Sequence, residues 1–401
     1  MKKYIEVLIL GWLLAGSGVV ALLLNLGITG SQKYEFLARA FVRGKIYFID
    51  ELHDDLDVVT YRTRTYWPLG LLPAALMTPL EAGSRLEHTQ GYLQIWLTLG
   101  TGFWVYWLAR KSGLGKQDSW WMVAAFCLGS IFQQAMLLPT DWFVAHSAGV
   151  FFCLWGVVMT LEKKWFLAGV GFGLAALARE LMVVGVGFGL VMAWESFGEW
   201  GGWTKRAVRL LVPVATAVGI ILIYNYVRFG EVRPTKQHEL ANLGFVDAGE
   251  RQRLFKNGIF NMKYIPGNFY YYFVRTLDLV EEKEGKFVTE AKWPYIKLGY
   301  PGVSFFVASP VFIYIFGLKK LRKKTWSAIA VVVPMVIVLL MYYWPGWNQT
   351  GPRFLLDAFP FIYLILVERF RGEKLPLPAK GLILGSSGLN LYLFLQAWGI
   401  R

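Results

Sequence analysis

The densest chemistry in the sequence lies just after residue 49. Asp50, Glu51, Asp54, Asp55 and Asp57 crowd together there, with Arg62 and Arg64 close behind. Asp54-Asp55-Leu56-Asp57 contains an Asp-x-Asp, a pattern that holds a metal-bound nucleotide in soluble sugar transferases. A lone match is weak. A calcium loop is excluded because no glycine and no distal glutamate stand in register. For Asp50, Glu51 and Asp54 a solvated acidic patch is the plain alternative. Asp57 differs in lying closest to the apolar stretch Tyr66–Pro79, with Tyr61 four residues on. A carboxylate at a partly apolar interface keeps its proton more tightly than one in water, which makes it a better general base.

A second constellation is Asp141-Trp142-Phe143-Val144-Ala145-His146. A single histidine at a helix start is commonly a hydrogen-bonded structural residue, and none of the histidines at 53, 88, 146 and 238 pairs with another at zinc spacing. A third set is arginine: Arg179 beside Glu180, Arg228 and Arg353, each next to an apolar run. Guanidinium holds a phosphate or diphosphate bidentately. The plain alternatives are an Arg179–Glu180 pair that satisfies itself and arginines that anchor to lipid headgroups.

The elements that must carry these groups follow from composition. The chain has 401 residues, 56% hydrophobic and 17% charged, and a mean hydropathy of +0.43. Soluble domains carry about a quarter charged residues. A disordered chain, a disulfide scaffold and an ordinary soluble enzyme are excluded, and a polytopic membrane protein is expected. Residues 4–27 form the first apolar run, read as an uncleaved anchor because no Ala-x-Ala follows. Further runs occur at 89–109, 119–138, 144–161, 166–178, 181–194, 207–226, 303–318, 325–343, 354–368 and 381–399. That gives about eleven spans, the pair across 166–194 being short enough to require tilt or a break.

Net charge is +14, and it is distributed rather than gathered into a nucleic-acid-binding face. With the N-terminus inside, the clusters Arg110–Lys116, Lys163-Lys164, Lys205–Arg209, Lys319–Lys324 and Arg369–Lys374 all fall on the cytoplasmic side. The positive-inside rule is thereby met at each connection. Segments 28–88, 139–143, 179–180, 227–302 and 344–353 then face outward, where nucleotide sugars are not supplied. Tyr66–Pro79, with prolines at 68, 73 and 79, is too short and broken to span and is expected as a juxtamembrane or re-entrant segment. The aromatic and basic loop 227–302 suits the headgroup interface.

Two other features read as packing. The repeats Gly169-Val170-Gly171-Phe172-Gly173-Leu174 and Gly185-Val186-Gly187-Phe188-Gly189-Leu190 lack a following Lys-Ser/Thr, so they are small-residue helix contacts rather than nucleotide loops. Cys127 and Cys153 lie in apolar runs as buried hydrophobes.

Taken in order, these pieces resemble a family. An outward first loop with an acidic residue near a tyrosine, then Tyr66-Trp67-Pro68-Leu69-Gly70-Leu71-Leu72-Pro73-Ala74, is similar to the GT-C superfamily of polyprenyl-phosphate-sugar glycosyltransferases. That superfamily includes protein O-mannosyltransferases and lipid A aminoarabinose transferases. Tyr34–Ala40 with Gly44, Gly129–Phe132, Trp142–His146, Tyr226–Gly230 and Gly351–Leu355 extend the resemblance over most of the chain, closest to uncharacterised prokaryotic members.

The resemblance implies an all-α polytopic membrane fold, one GT-C-like domain over 1–401 without a separate soluble domain, and juxtamembrane helices in the first outward loop. It implies a first-loop Asp base, placed on Asp57. The family's usual Asp-Glu is here Asp57-Val58, which leaves Asp55 and Asp54 as alternatives and a divalent cation, magnesium or manganese, as an open requirement. No residue-built metal site is expected. Arg353, Arg228, Arg179 and His146 are expected to hold the donor phosphate, and Tyr61, Tyr66, Trp67 and Trp142 to line the substrate groove. The partners implied are a polyprenyl-phosphate-linked sugar donor, a lipid or glycan acceptor and the bilayer. A transporter or flippase of lipid-linked sugars and a non-catalytic scaffold are the competing classes; the first favours inverted repeats, which the sequence lacks.

Overall fold

The computed structural model describes residues 2–28, 30–52, 57–83, 88–194, 200–241, 249, 254, 256–284, 288–347 and 349–399. Asp54 and Asp55 lie outside the described residues.

Every apolar run read from the sequence is helical. In chain order, α1 (Lys2–Gly27), α4 (Thr89–Lys111), α5 (Lys116–Cys127), α6 (Phe132–Leu137), α7 (Asp141–Leu161), α8 (Trp165–Ala178), α9 (Val186–Ala193) and α10 (Trp200–Phe229) carry the first seven runs. Helices Lys323–Met341, Phe359–Arg369 and Leu377–Trp398 carry the last three. Among the described residues, four are long and apolar enough to cross a membrane: α1, α7, α10 and Lys323–Met341. Their surroundings differ. The apolar window of α7 is 89% buried and that of α1 only 11%, so α7 is the centre of the bundle and α1 its periphery.

Several runs are broken where the chain must turn or carry polar groups. Run 119–138 divides between α5 and α6, where Ser130 Oγ accepts from Phe132 N at 3.0 Å. Run 303–318 divides into Phe305–Ala308 and a 3-10 segment Pro310–Gly317, since Pro310 cannot continue the hydrogen-bond ladder. Between α8 and α9 the chain is extended at Arg179 (φ −143°, ψ 105°) and then makes a 3-10 turn over Glu180–Gly185. The short pair 166–194 is therefore broken, and the break carries two charged residues side by side, Arg179 and Glu180.

Glycines set how closely the central helices approach. A Cβ on Gly169 would lie 2.2 Å from Leu210 O of α10, and one on Gly171 would lie 2.6 Å from Gly156 N of α7. Larger residues there would separate the helices.

The first loop holds two helices, α2 (Lys33–Val42) and α3 (Leu72–Gly83), which pack on each other. Between them runs a hairpin absent from the sequence expectation: β1 (Val59–Tyr61) pairs antiparallel with β2 (Arg64–Tyr66). Its two turn residues, Arg62 and Thr63, both have positive φ (49° and 65°), as a two-residue turn matching strand twist requires. The segment 66–79 is the end of β2, a short linker and most of α3. The second long loop carries a further hairpin, β3 (Asp278–Glu284) with β4 (Val288–Lys297). Single bridges tie Val59 to Ala241 and Phe260 to Tyr342, so both loops close over one end of the bundle.

Candidate active site

The first loop is fixed to the bundle by buried polar contacts. Lys33 N donates to Asp141 Oδ1 at 2.7 Å, and its ammonium lies 3.6 Å from Asp141 Oδ2. Gln90 of α4 donates to Ser31 O at 3.0 Å and accepts from Tyr34 N at 3.2 Å. Asp141 opens α7, so these contacts bring the loop to the helix that carries Trp142 and His146.

Asp57 sits immediately before the hairpin in left-handed backbone (φ 60°), a conformation that Asp tolerates better than most residues. Its Oδ2 accepts from Trp142 Nε1 at 3.1 Å. On the indole face, Arg353 lies with its guanidinium carbon 5.5 Å from the ring centroid, and Phe143 and Phe354 flank it at 5.7 and 5.2 Å. Arg353 opens a 3-10 turn, Arg353–Asp357, ahead of helix Phe359–Arg369. Its Nη1 donates to Trp347 O at 3.2 Å, while its buried Nε has no hydrogen-bond partner among the described residues. Among the described residues it forms no ion pair. Burial pushes the guanidinium down to about 10, with the Asp57 carboxylate opposing that shift.

Four residues after Arg353, Asp357 binds the other arginine. Arg179 Nε and Nη2 donate to Asp357 Oδ1 and Oδ2, each at 3.2 Å. His146 Nδ1 approaches Oδ1 of the same carboxylate at 3.2 Å, and His146 and Asp357 are both fully enclosed. Gly149, on the next turn of α7, leaves room for the Arg179 stem; a Cβ there would lie 3.2 Å from Arg179 Cγ.

These groups line one cavity of about 470 Å³. Asp57, Trp142, His146, Arg179 and Arg353, all expected from sequence, face it together with Glu180 and Asp357. Pro68, Leu69 and Gly70 form one wall, and Leu181, Phe260, Val338 and Leu339 supply much of its apolar surface. A Cβ on Gly70 would lie 2.3 Å from Leu177 O, so only glycine lets this wall approach the end of α8.

Other expected residues stand elsewhere. Arg228 is directed into protein: it donates to Trp67 O and Asn225 Oδ1, both at 2.5 Å, and stacks on Tyr224 at 3.9 Å. Tyr61 and Tyr66 pack edge-on against Phe229 at 6.2 and 5.5 Å, and Trp67 is fully buried against Tyr34. These four join the hairpin to the end of α10 instead of lining the cavity. Arg179 pairs with Asp357, not with its neighbour Glu180 as the plain sequence alternative had it. Asp357 was missed because it falls within the apolar run 354–368; a lone carboxylate in such a run was the available signal. Among the described residues no three His, Cys, Asp or Glu side chains gather as a cation site. Of the cavity carboxylates, Asp357 is already taken up by Arg179 and His146.

No family model matches the chain, and no curated protein matches it. A solved structure does: ArnT from Cupriavidus metallidurans bound to undecaprenyl phosphate, at a TM-score of 0.50 and 13% identity. The likeness covers 94% of this chain and 63% of that one, so the present chain spans less than two thirds of the length of ArnT. At this identity it is the fold that is shared, an all-α architecture of many apolar helices.

Proposed function

We propose that this protein transfers a sugar from a polyprenyl-phosphate donor to a hydroxyl of a lipid or glycan acceptor at the outer face of the membrane. One observation carries the reading: Asp57 and Arg353 line the same cavity, with Trp142 bonded to the first and stacked on the second. The undecaprenyl phosphate bound to ArnT supports the donor class.

The charges divide the work. Arg179 is neutralised by Asp357, which leaves Arg353 as the cavity arginine without an ion pair among the described residues. A phosphodiester supplies the missing anion, and its desolvated charge is held more strongly there than in water. Asp57 accepts the proton of the acceptor hydroxyl as that oxygen attacks the anomeric carbon. The anomeric C–O bond to phosphate breaks with its electron pair moving to the phosphate oxygen. Lipid monophosphate leaves, its new charge met by Arg353. A single displacement inverts the anomeric centre. Phosphate is a good leaving group without protonation, so one carboxylate is sufficient, whereas glycoside hydrolysis uses two. Leu181, Phe260, Val338 and Leu339 give the cavity an apolar flank for the first isoprene units. The positive clusters orient the N-terminus to the cytoplasm and the cavity outward.

The test is transfer by the purified protein from undecaprenyl-phosphate-linked sugars, followed as release of undecaprenyl phosphate. Release that depends on an added acceptor supports the proposal. A protein that binds none of these lipids contradicts it.

A further inference from the structure

His146 has a nitrogen that the reaction above leaves unused. The residue is fully enclosed and lines the cavity, yet among the described residues its Nε2 has no hydrogen-bond partner. Its other nitrogen is committed. Asp357 takes both guanidinium bonds of Arg179 and is therefore an ionised acceptor, so the 3.2 Å contact at Oδ1 requires Nδ1 to carry hydrogen. In the neutral ring that fixes Nε2 as a lone-pair acceptor. A buried acceptor with no donor is unfavourable until a ligand supplies one.

Chemistry selects the ligand group. A phosphodiester has no O–H to give at neutral pH, whereas a sugar presents several. Geometry agrees, because His146 follows Trp142 by four residues on the same face of α7. It lies about 6 Å further along the helix axis than the indole on which Arg353 rests.

We infer that His146, held by Asp357 and Arg179, accepts a hydrogen bond from a hydroxyl of the donor sugar and so selects the sugar, while Arg353 holds the phosphate. The inference rests on the donor class proposed above, and it differs from the sequence expectation that His146 is a phosphate ligand. Asp357 and Arg179 are positioning residues that act through the ring.

The experiment measures binding of undecaprenyl phosphate and of undecaprenyl phosphoglucose and phosphomannose to the full chain in detergent. The proteins are wild type, His146→Leu and His146→Gln. Wild type is expected to bind at least one hexosyl lipid about tenfold more tightly than the bare lipid, the effect of one neutral hydrogen bond. His146→Leu keeps bare-lipid affinity and loses that preference; His146→Gln, whose Oε1 restores an acceptor, recovers most of it. Equal weakening of bare and hexosyl lipids in His146→Leu overturns the inference by making the ring a phosphate ligand. An unchanged preference in that variant, or no preference in wild type, also overturns it. Should His146→Leu not fold, deoxy-hexosyl lipids on wild type decide: one deoxy position is expected to abolish the preference, and none doing so is contrary. Wild type that fails to bind even undecaprenyl phosphate refutes the donor class itself, a result distinct from the others.

Discussion

The indole of Trp142 donates from Nε1 to Asp57 Oδ2 at 3.1 Å. With the same ring it supports the Arg353 guanidinium at 5.5 Å. One side chain on the most buried of the four long apolar helices thus sets the separation of an acceptor carboxylate and a guanidinium, and the first loop meets the turn that begins at Arg353 there. The following expectations come from that arrangement.

Trp142→Phe keeps an aromatic face under Arg353 and removes the bond to Asp57. A hydrogen bond to a charged group is worth about 1.5–3 kcal/mol. The turnover number should fall by roughly 10- to 100-fold, with donor affinity close to wild type. Steady-state kinetics that separate kcat from KM check this split.

Arg353→Met removes a buried cation that has no ion pair among the described residues. The unliganded variant should unfold at the same temperature as wild type or higher. Wild type should gain about 2.7 kcal/mol from undecaprenyl phosphate at 100 times its Kd, and the variant should gain none. Thermal unfolding in detergent, with and without the lipid, measures both effects.

Arg179→Ala strips Asp357 of its counter-charge inside the protein. The expected loss is about 3–5 kcal/mol, and Arg179→Ala with Asp357→Asn should recover part of it. A double-mutant cycle by chemical denaturation reads the coupling.

Glycine substitutions should differ in sign. A Cβ at Gly70 meets Leu177 O at 2.3 Å, so Gly70→Ala should cost about 1–3 kcal/mol and weaken donor binding at the wall it displaces. Gly219 in α10 has nothing within 4 Å of the added Cβ, and Gly219→Ala should stabilise by roughly 0.5–1 kcal/mol. Comparative melting temperatures decide.

Glu35 of α2 supplies a pH dependence. Burial raises its carboxyl above the ordinary 4.5, against the pull of Arg39. A carboxyl raised in the folded state binds protons more readily folded than unfolded. Its contribution to stability is therefore complete below pH 4.5 and is lost as pH rises through the raised value. Glu35→Gln should flatten the stability profile over that window, since Arg39 retains Glu81 at 3.2 Å. Unfolding midpoints across pH 4–8 test it.

Much of the architecture was legible because apolar runs long enough to span a membrane leave few alternatives, and each run is indeed helical. The ends of such runs also singled out Trp142, His146, Arg179 and Arg353, and nearness to the apolar stretch 66–79 singled out Asp57; all five line one cavity. What the sequence concealed was pairing. Nothing in Arg179-Glu180 shows that the arginine turns to Asp357, distant in the chain, and Asp357 itself reads as one polar residue in an apolar helix. Arg228 illustrates the converse: a cation beside an apolar helix whose terminal nitrogens donate to the Trp67 carbonyl and to Asn225 of its own helix. The hairpin Val59–Tyr66 escaped because three-residue strands carry too little periodicity, and its turn lacks the glycine that ordinarily announces one.

The most direct test of the account is the rate at which Asp57→Asn protein, reconstituted in liposomes, releases undecaprenyl phosphate from a sugar-loaded lipid that wild type consumes. General-base loss predicts a fall of roughly 10²- to 10⁴-fold with lipid binding retained. Release at the wild-type rate would contradict the role assigned to Asp57.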